Sequence, residues 1–392
     1  MHKFLILFAL LPVGLMASPL KNIKKLTAEY STPYHDSYSL TVNSSCRLPK
    51  YKPEELSADH LTLSVRNGYY QSGKTKINLF LKRDEVTGAK QAPLIVLITG
   101  IFGHPLGGIS TQVIKKFTDE GFHVLSLGNP LGVENLSEKP RYILADFYME
   151  SNAYYETIKT VRRMLIRRNL LSKGVYLYGI SYGGFVAGVI NSLDLLGGNF
   201  IKKTALVSPP VRFGKAIQNM DALVNQSKKY QSYPDWVLSL MSIPFCFKPK
   251  PEPSATRTER AKAIFTFSGF QRSLADTISY ADKLYGWGYV PRSSRSAFRR
   301  WRQQVTFNYY FENFFPTLKE LYYSHKSYLF NWINIRGDNV LILSASDDPL
   351  NINVSWPGSD NIFLTKMGGH YGFANSEFYN NFLTEVSAWM KK

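Results

Sequence analysis

Ser181 sits in the run Gly179-Ile180-Ser181-Tyr182-Gly183-Gly184, a G-x-S-x-G arrangement. Taken alone this is a weak signal. Its setting gives it weight. The residues before it, Val175-Tyr176-Leu177-Tyr178, read as a short buried strand, and a helix is expected from Gly183 onward. A strand that turns sharply into a helix strains the residue at the turn and leaves no room for Cβ atoms two positions to either side. Gly179 and Gly183 meet that demand. The helix start also aims unpaired N–H groups and positive potential at the turn. A serine placed there is suited to attack a carbonyl.

A serine hydroxyl is a poor nucleophile without a base within hydrogen-bond reach. His370 is the candidate, in the loop Lys366-Met367-Gly368-Gly369-His370-Tyr371-Gly372-Phe373, where glycines on both sides free the backbone. His35 and His60 precede the expected core, His123 opens a strand and His325 lies among helices, so none of these competes. An imidazole base needs a carboxylate to fix its tautomer. Ser346-Asp347-Asp348-Pro349 places two aspartates just past a strand end; Asp348 fits the acid position and Asp347 is the reserve, with capping or bracing of the turn as its other role. Donors for an oxyanion are expected from the Tyr182 N–H and from Ile101 or Phe102 in Gly100-Ile101-Phe102-Gly103-His104. That loop lacks the Gly-Lys-Ser/Thr ending of a phosphate-binding loop. His104 reads equally as a pocket wall and as an ordinary loop residue.

The elements that must position these residues alternate. Strands are expected at 61–65, 77–81, 93–99, 122–127, 175–178, 204–207, 339–343 and 362–365, several of them almost continuously apolar, as strands covered on both faces are. Helices are expected at 110–120, 150–171, from 183, and at 376–390. This is a doubly wound, mostly parallel α/β sheet. Between residues 213 and 337 the strands stop. That stretch is rich in aromatics, carries Pro249-Lys250-Pro251-Glu252-Pro253, and shows helical periodicity. It reads as a helical cap inserted over the sheet edge where α/β proteins place their sites. Tyr285, Trp287 and Tyr289 within it are candidates for an apolar acyl pocket, with ordinary packing as the alternative. The expected division is 1–17 as a signal peptide, 18–212 as the first part of the core with an N-terminal extension, 213–337 as the cap, and 338–392 as the second part of the core.

Composition narrows the class. The chain has 392 residues, 44% of them hydrophobic, with no low-complexity tract, enough for one large core. The start His2-Lys3, an apolar run to Met16 and the small residue Ala17 resemble a secretory signal, giving a secreted or periplasmic location as the expectation. Cys46 and Cys246 lack metal-ligand spacing and are a possible pair in an oxidising compartment, or else two separate thiols. The net charge of +18 favours acidic surfaces. Its densest stretch, Arg292, Arg295, Arg299, Arg300 and Arg302 around Trp301, is either a face for an anionic membrane or a solvated helix face. No nucleic-acid recognition motif accompanies the charge.

With these residues in view, the pattern resembles the α/β-hydrolase superfamily, with the chain order Ser, Asp, His of that superfamily. Ser346-Asp347-Asp348-Pro349 and Gly368-Gly369-His370-Tyr371-Gly372-Phe373 look like the motifs of its esterase and lipase-like branch, which includes the YheT-type hydrolases. Thr99 departs from that pattern, standing where a histidine is common. The resemblance implies hydrolysis of carboxylic esters of small molecules or lipids by Ser181, His370 and Asp348, without a cofactor. A peptidase, an acyltransferase or a hydrolase-like binding protein would share the fold.

Overall fold

A computed structural model describes residues 18–48, 51–84, 88–129, 131–247, 254–335, 337–374 and 376–392. The expected signal segment lies outside these residues. The sheet is built from β1 (Ala58–Arg66), β2 (Lys74–Asp84), β4 (Ala92–Ile98), β5 (His123–Leu127), β6 (Leu171–Ile180), β7 (Ile201–Val207), β8 (Val340–Ala345) and β9 (Ile362–Thr365), with the two-residue β3 (Gly88–Ala89) paired to β2. Spatial order is β1-β2-β5-β4-β6-β7-β8-β9. β1 and β2 pair antiparallel, as do β2 and β5, and every pairing from β5 to β9 is parallel.

The central strands are apolar because both of their faces are covered. Leu94 through Ile98 of β4 are all fully buried, and residues alternate between two cores. Leu94, Val96 and Ile98 join the core beneath α5 (Phe147–Arg167), α6 (Tyr182–Gly197) and the inserted helices. Ile95 and Leu97 join the other, beneath α3 (Gly108–Asp119) and α14 (Glu377–Lys391). Helix α14 shows the pattern in small: Phe378, Tyr379, Phe382, Leu383, Val386, Trp389 and Met390 all face inward. Ser376 caps it by accepting from the Tyr379 N–H.

Some boundaries differ from the sequence reading. The helix expected to run to residue 171 stops at Arg167, because Asn169 adopts φ +53° and Leu171 already opens β6. His60 lies on β1, stacked on Phe80, and not ahead of the core. Between β7 and β8 lie α7 (Phe213–Gln226), α8 (Asp235–Cys246), α9 (Ala255–Ala263), a π-helical turn (Ile264–Gln271), α10 (Arg272–Tyr285), α11 (Arg295–Gln304), α12 (Phe307–Asn313) and α13 (Pro316–Tyr323). Among the described residues no helix is long and apolar enough to cross a membrane.

Before the sheet come α1 (Pro19–Glu29) and α2 (Ser37–Arg47), two helices the sequence reading left unassigned. α1 lies against α14, with Ile23 fully buried. α2 lies against α8 and α9. Asn43 of α2 donates to the Phe245 carbonyl, and Cys46 forms a disulfide with Cys246. The arginine-rich stretch is largely occupied by neighbours. Arg292 pairs with Asp282, Arg302 with Asp235 and Asp276, and Arg299 donates to the Ser232 carbonyl. Trp301 is buried among them.

Candidate active site

Ser181 occupies the turn between β6 and α6 at φ +54° and ψ −125°, a region that costs a side chain of order 1–3 kcal/mol. Its own N–H is tied to the Val207 carbonyl at 2.8 Å, which fixes the turn to the neighbouring strand. The flanking glycines are required by contact. A Cβ on Gly179 would lie 2.4 Å from the Gly183 carbonyl oxygen, and one on Gly183 would lie 2.3 Å from the carbonyl oxygens of both Ile98 and Thr99. These neighbours are backbone and cannot swing away.

Ser181 Oγ lies 2.8 Å from His370 Nε2, and His370 Nδ1 lies 3.1 and 3.2 Å from the two carboxylate oxygens of Asp348. All three side chains are buried. Asp348 follows β8 and is held by the Leu350 N–H at 2.9 Å. It also accepts from Asn351 Nδ2 at 3.4 Å. Asn351 is anchored in turn by the Val211 N–H and the Pro209 carbonyl.

The loop carrying His370 is braced from three directions. Asp347 Oδ1 accepts from the N–H groups of Gly368 and Gly369, both at 2.8 Å. Asp347 therefore takes the bracing role, and Asp348 the position against the imidazole. Burial pushes the Asp347 carboxyl up, and the two amide bonds oppose this. The His370 N–H donates to Thr41 Oγ1 of α2 at 2.9 Å. Gly369 adopts φ +57° because α2 approaches so closely that a Cβ would meet the Ser37 carbonyl oxygen at 2.3 Å. Finally, Tyr371 joins a buried chain of hydroxyls with Tyr379 and Tyr178.

The loop from Gly100 to Gly103 lies against the serine: a Cβ on Gly100 would stand 3.1 Å from Ser181 Cβ. Ile101 lines both cavities that meet at Ser181, and Phe102 follows at φ +57°. The N–H of Tyr182 belongs to the first turn of α6, where amides have no intrahelical partner. The Tyr182 hydroxyl, in contrast, is deeply buried and hydrogen-bonded to Glu150. Glu150 also accepts from the Ala145 N–H at 2.8 Å. Burial pushes the Glu150 carboxyl up to about 8 against these two hydrogen bonds, so it holds a proton at neutral pH. Nothing in the sequence pointed to this residue, since a glutamate in a helix reads as solvated.

The larger cavity beside Ser181 measures about 340 Å³ and is lined by His370, His104, Phe265, Phe270 and residues of α2. His104 is thus a pocket wall, with its Nε2 3.2 Å from Glu134. Tyr285, Trp287 and Tyr289 do not form a pocket at the serine. They pack against one another and against Phe314 and Phe315, and the Tyr285 hydroxyl donates to the Pro140 carbonyl. The aromatic walls come instead from the π-helical turn, through Phe265 and Phe270. Among the described residues no group of three or more His, Cys, Asp or Glu side chains is arranged to hold a metal ion.

Leaving out the two-residue β3, the strands run 1-2-4-3-5-6-7-8 in space, with Ser181 after the strand at the sheet centre and Asp348 and His370 after the last two. This is the α/β-hydrolase fold, with Ser181 at the sharp turn between strand and helix. No family model matches the chain, and no curated protein matches it either. Among solved structures it is similar to Est1E from Butyrivibrio proteoclasticus, at 16% identity and TM-score 0.28 over 40% of this chain. It spans 55% of the length of that protein. It is also similar to an esterase of Pyrococcus furiosus, at 14% identity and TM-score 0.43 over 88% of this chain and 94% of the other. A hyperthermophilic esterase from Pyrobaculum calidifontis aligns at 13% identity and TM-score 0.38, over 95% and 96% of the two chains. Strand order and register, rather than these likenesses, fix the fold.

Proposed function

We propose that the protein is a serine hydrolase that cleaves carboxylic esters through an acyl-enzyme on Ser181. The observation that carries this is the continuous chain from Ser181 Oγ through the imidazole of His370 to the carboxylate of Asp348, at 2.8 Å and 3.1–3.2 Å. His370 removes the serine proton as Oγ attacks the ester carbonyl, and Asp348 holds the imidazole in the right tautomer and stabilises its charged form. The amides of Tyr182 and of Ile101 or Phe102 receive the oxyanion. The imidazolium then protonates the departing alkoxide. Water, deprotonated by His370, releases the acid and frees Ser181. In sum one ester and one water become one acid and one alcohol.

The likeness of the closing motifs to YheT-type esterases supports the ester reading, and the Cys46–Cys246 disulfide supports an exported location. Turnover of p-nitrophenyl acetate and labelling by a fluorophosphonate probe test the proposal together. The protein is expected to do both, and Ser181→Ala neither. Equal turnover by the two chains would remove Ser181 from the nucleophile's role. Labelling without ester hydrolysis, but with cleavage of an amide or transfer to an alcohol, would keep the nucleophile and replace the reaction.

A further inference from the structure

Two cavities meet at Ser181, and they are very unequal. The larger, about 340 Å³, has His370 in its wall. The smaller, about 20 Å³, lies on the other side, and His370 is not among its walls. They share Ser181, Ile101 and Phe270. The small one is closed by Phe213, Ile217, Met220, Phe307 and Leu350, each no more than 5% exposed. Its volume leaves room for about one methyl-sized group.

The chemistry decides which half of an ester goes where. In the breakdown of the tetrahedral intermediate the leaving oxygen takes its proton from His370 Nε2. The alcohol half must therefore sit in the cavity that His370 lines. The carbonyl oxygen points at the amides beside Ile101 and Tyr182. The remaining substituent of the acyl carbon is left with the small cavity, which those same two residues border.

Resting on the serine-ester reading above, we infer that the substrates are esters of a very short acyl group, acetyl in the first place, with a bulky alcohol. The alcohol cavity has Phe265, Phe270, Ile109 and Leu48 as apolar surface, and Thr41, Ser44 and Ser45 of α2 on one side. It accepts an alcohol of mixed polarity several times the size of the acyl group. A long fatty acyl chain is excluded, since it would have to displace closely packed buried side chains. In each turnover the bond from the acetyl carbon to the alkoxy oxygen breaks and one to Ser181 Oγ forms. The serine proton leaves with the alcohol, and water then converts the acetyl-enzyme to acetate.

The test is a chain-length series of p-nitrophenyl acetate, butyrate and octanoate. For the natural chain, kcat/KM is expected to fall from acetate to octanoate by at least 100-fold. Met220→Ala enlarges the small cavity and is expected to raise kcat/KM for butyrate at least tenfold relative to acetate. Ile217→Val is the milder opening and moves the ratio in the same direction; it serves if the first variant does not fold by circular dichroism. With the acyl group held as acetyl, 1-naphthylmethyl acetate is expected to be a better substrate than ethyl acetate, both releasing ordinary alkoxides. Octanoate turned over as well as acetate by a chain that labels normally with fluorophosphonate would overturn this inference and leave the hydrolase reading standing. An unchanged acetate-to-butyrate ratio in both folded variants would overturn it too. Absence of labelling and of all ester turnover would fail the hydrolase reading itself.

Discussion

Replacing Glu150 by glutamine is expected to stabilise the protein, increasingly so as pH rises. Glu150 is fully buried, bonded to the Ala145 N–H and the Tyr182 hydroxyl. Its pKa rises from an ordinary 4.5 to about 8, with burial as the largest cause. Below pH 4.5 the carboxyl is neutral in the folded and the unfolded chain, and folding gains in full. Between 4.5 and 8 the unfolded chain ionises while the folded chain keeps its proton, so stability falls with rising pH. At about 1.4 kcal/mol per pH unit over this window, the loss approaches about 5 kcal/mol above pH 8, of which about 3 kcal/mol is present at pH 7. Glutamine matches the protonated acid in shape: its carbonyl accepts from Ala145 and its amide donates to Tyr182. It cannot ionise.

Denaturant unfolding of the natural chain and Glu150→Gln at pH 4, 5.5, 7 and 8.5 measures this. Other groups cancel in the difference, among them Asp221, which burial pushes up to about 6. The variant should match the natural chain at pH 4 and exceed it by about 3 kcal/mol at pH 7. A difference independent of pH would refute the assignment of a buried, protonated Glu150. Glu150→Ala is expected to do the opposite of glutamine, since it leaves two buried groups without partners at about 1–3 kcal/mol each.

Asp348→Asn presents the imidazole with the wrong tautomer, so kcat for ester hydrolysis should fall by about 10⁴ while the fold persists. Asp347→Ala removes the acceptor for the Gly368 and Gly369 amides, and should destabilise the fold by about 3 kcal/mol in denaturant unfolding. Because Asp347 does not touch Ser181 or the imidazole, kcat should fall less than for Asp348→Asn. Gly183→Ala forces a Cβ against two backbone carbonyls, and should yield either no folded protein or a folded one without fluorophosphonate labelling. Cys46→Ser with Cys246→Ser opens a link across 200 residues. Loss of that cross-link should lower stability by about 4–5 kcal/mol, read as a lower Tm that reductant no longer changes.

The sheet and the tight strand-to-helix turn at Ser181 were legible in the residues, because their demands are local. A strand covered on both faces must be apolar along its length, and a turn that admits no Cβ must have glycine. Such demands are written into adjacent residues. The count past the strand end put Asp348 ahead of Asp347, and in the structure Asp348 is the aspartate that faces the imidazole. What the tertiary structure alone decided lies in contacts between residues far apart in the chain. Thr41 meets the His370 N–H across 329 positions, Glu150 meets Tyr182 across 32, and Cys46 finds Cys246 across 200. The aromatic walls came from Phe265 and Phe270 rather than from Tyr285, Trp287 and Tyr289 for the same reason. Any aromatic in a helical insertion buries its ring somewhere, and only the packing of the helices settles which rings face the serine. The proposed reaction therefore rests on a few local residues, while the shape of the substrate it would take is a property of the assembled fold.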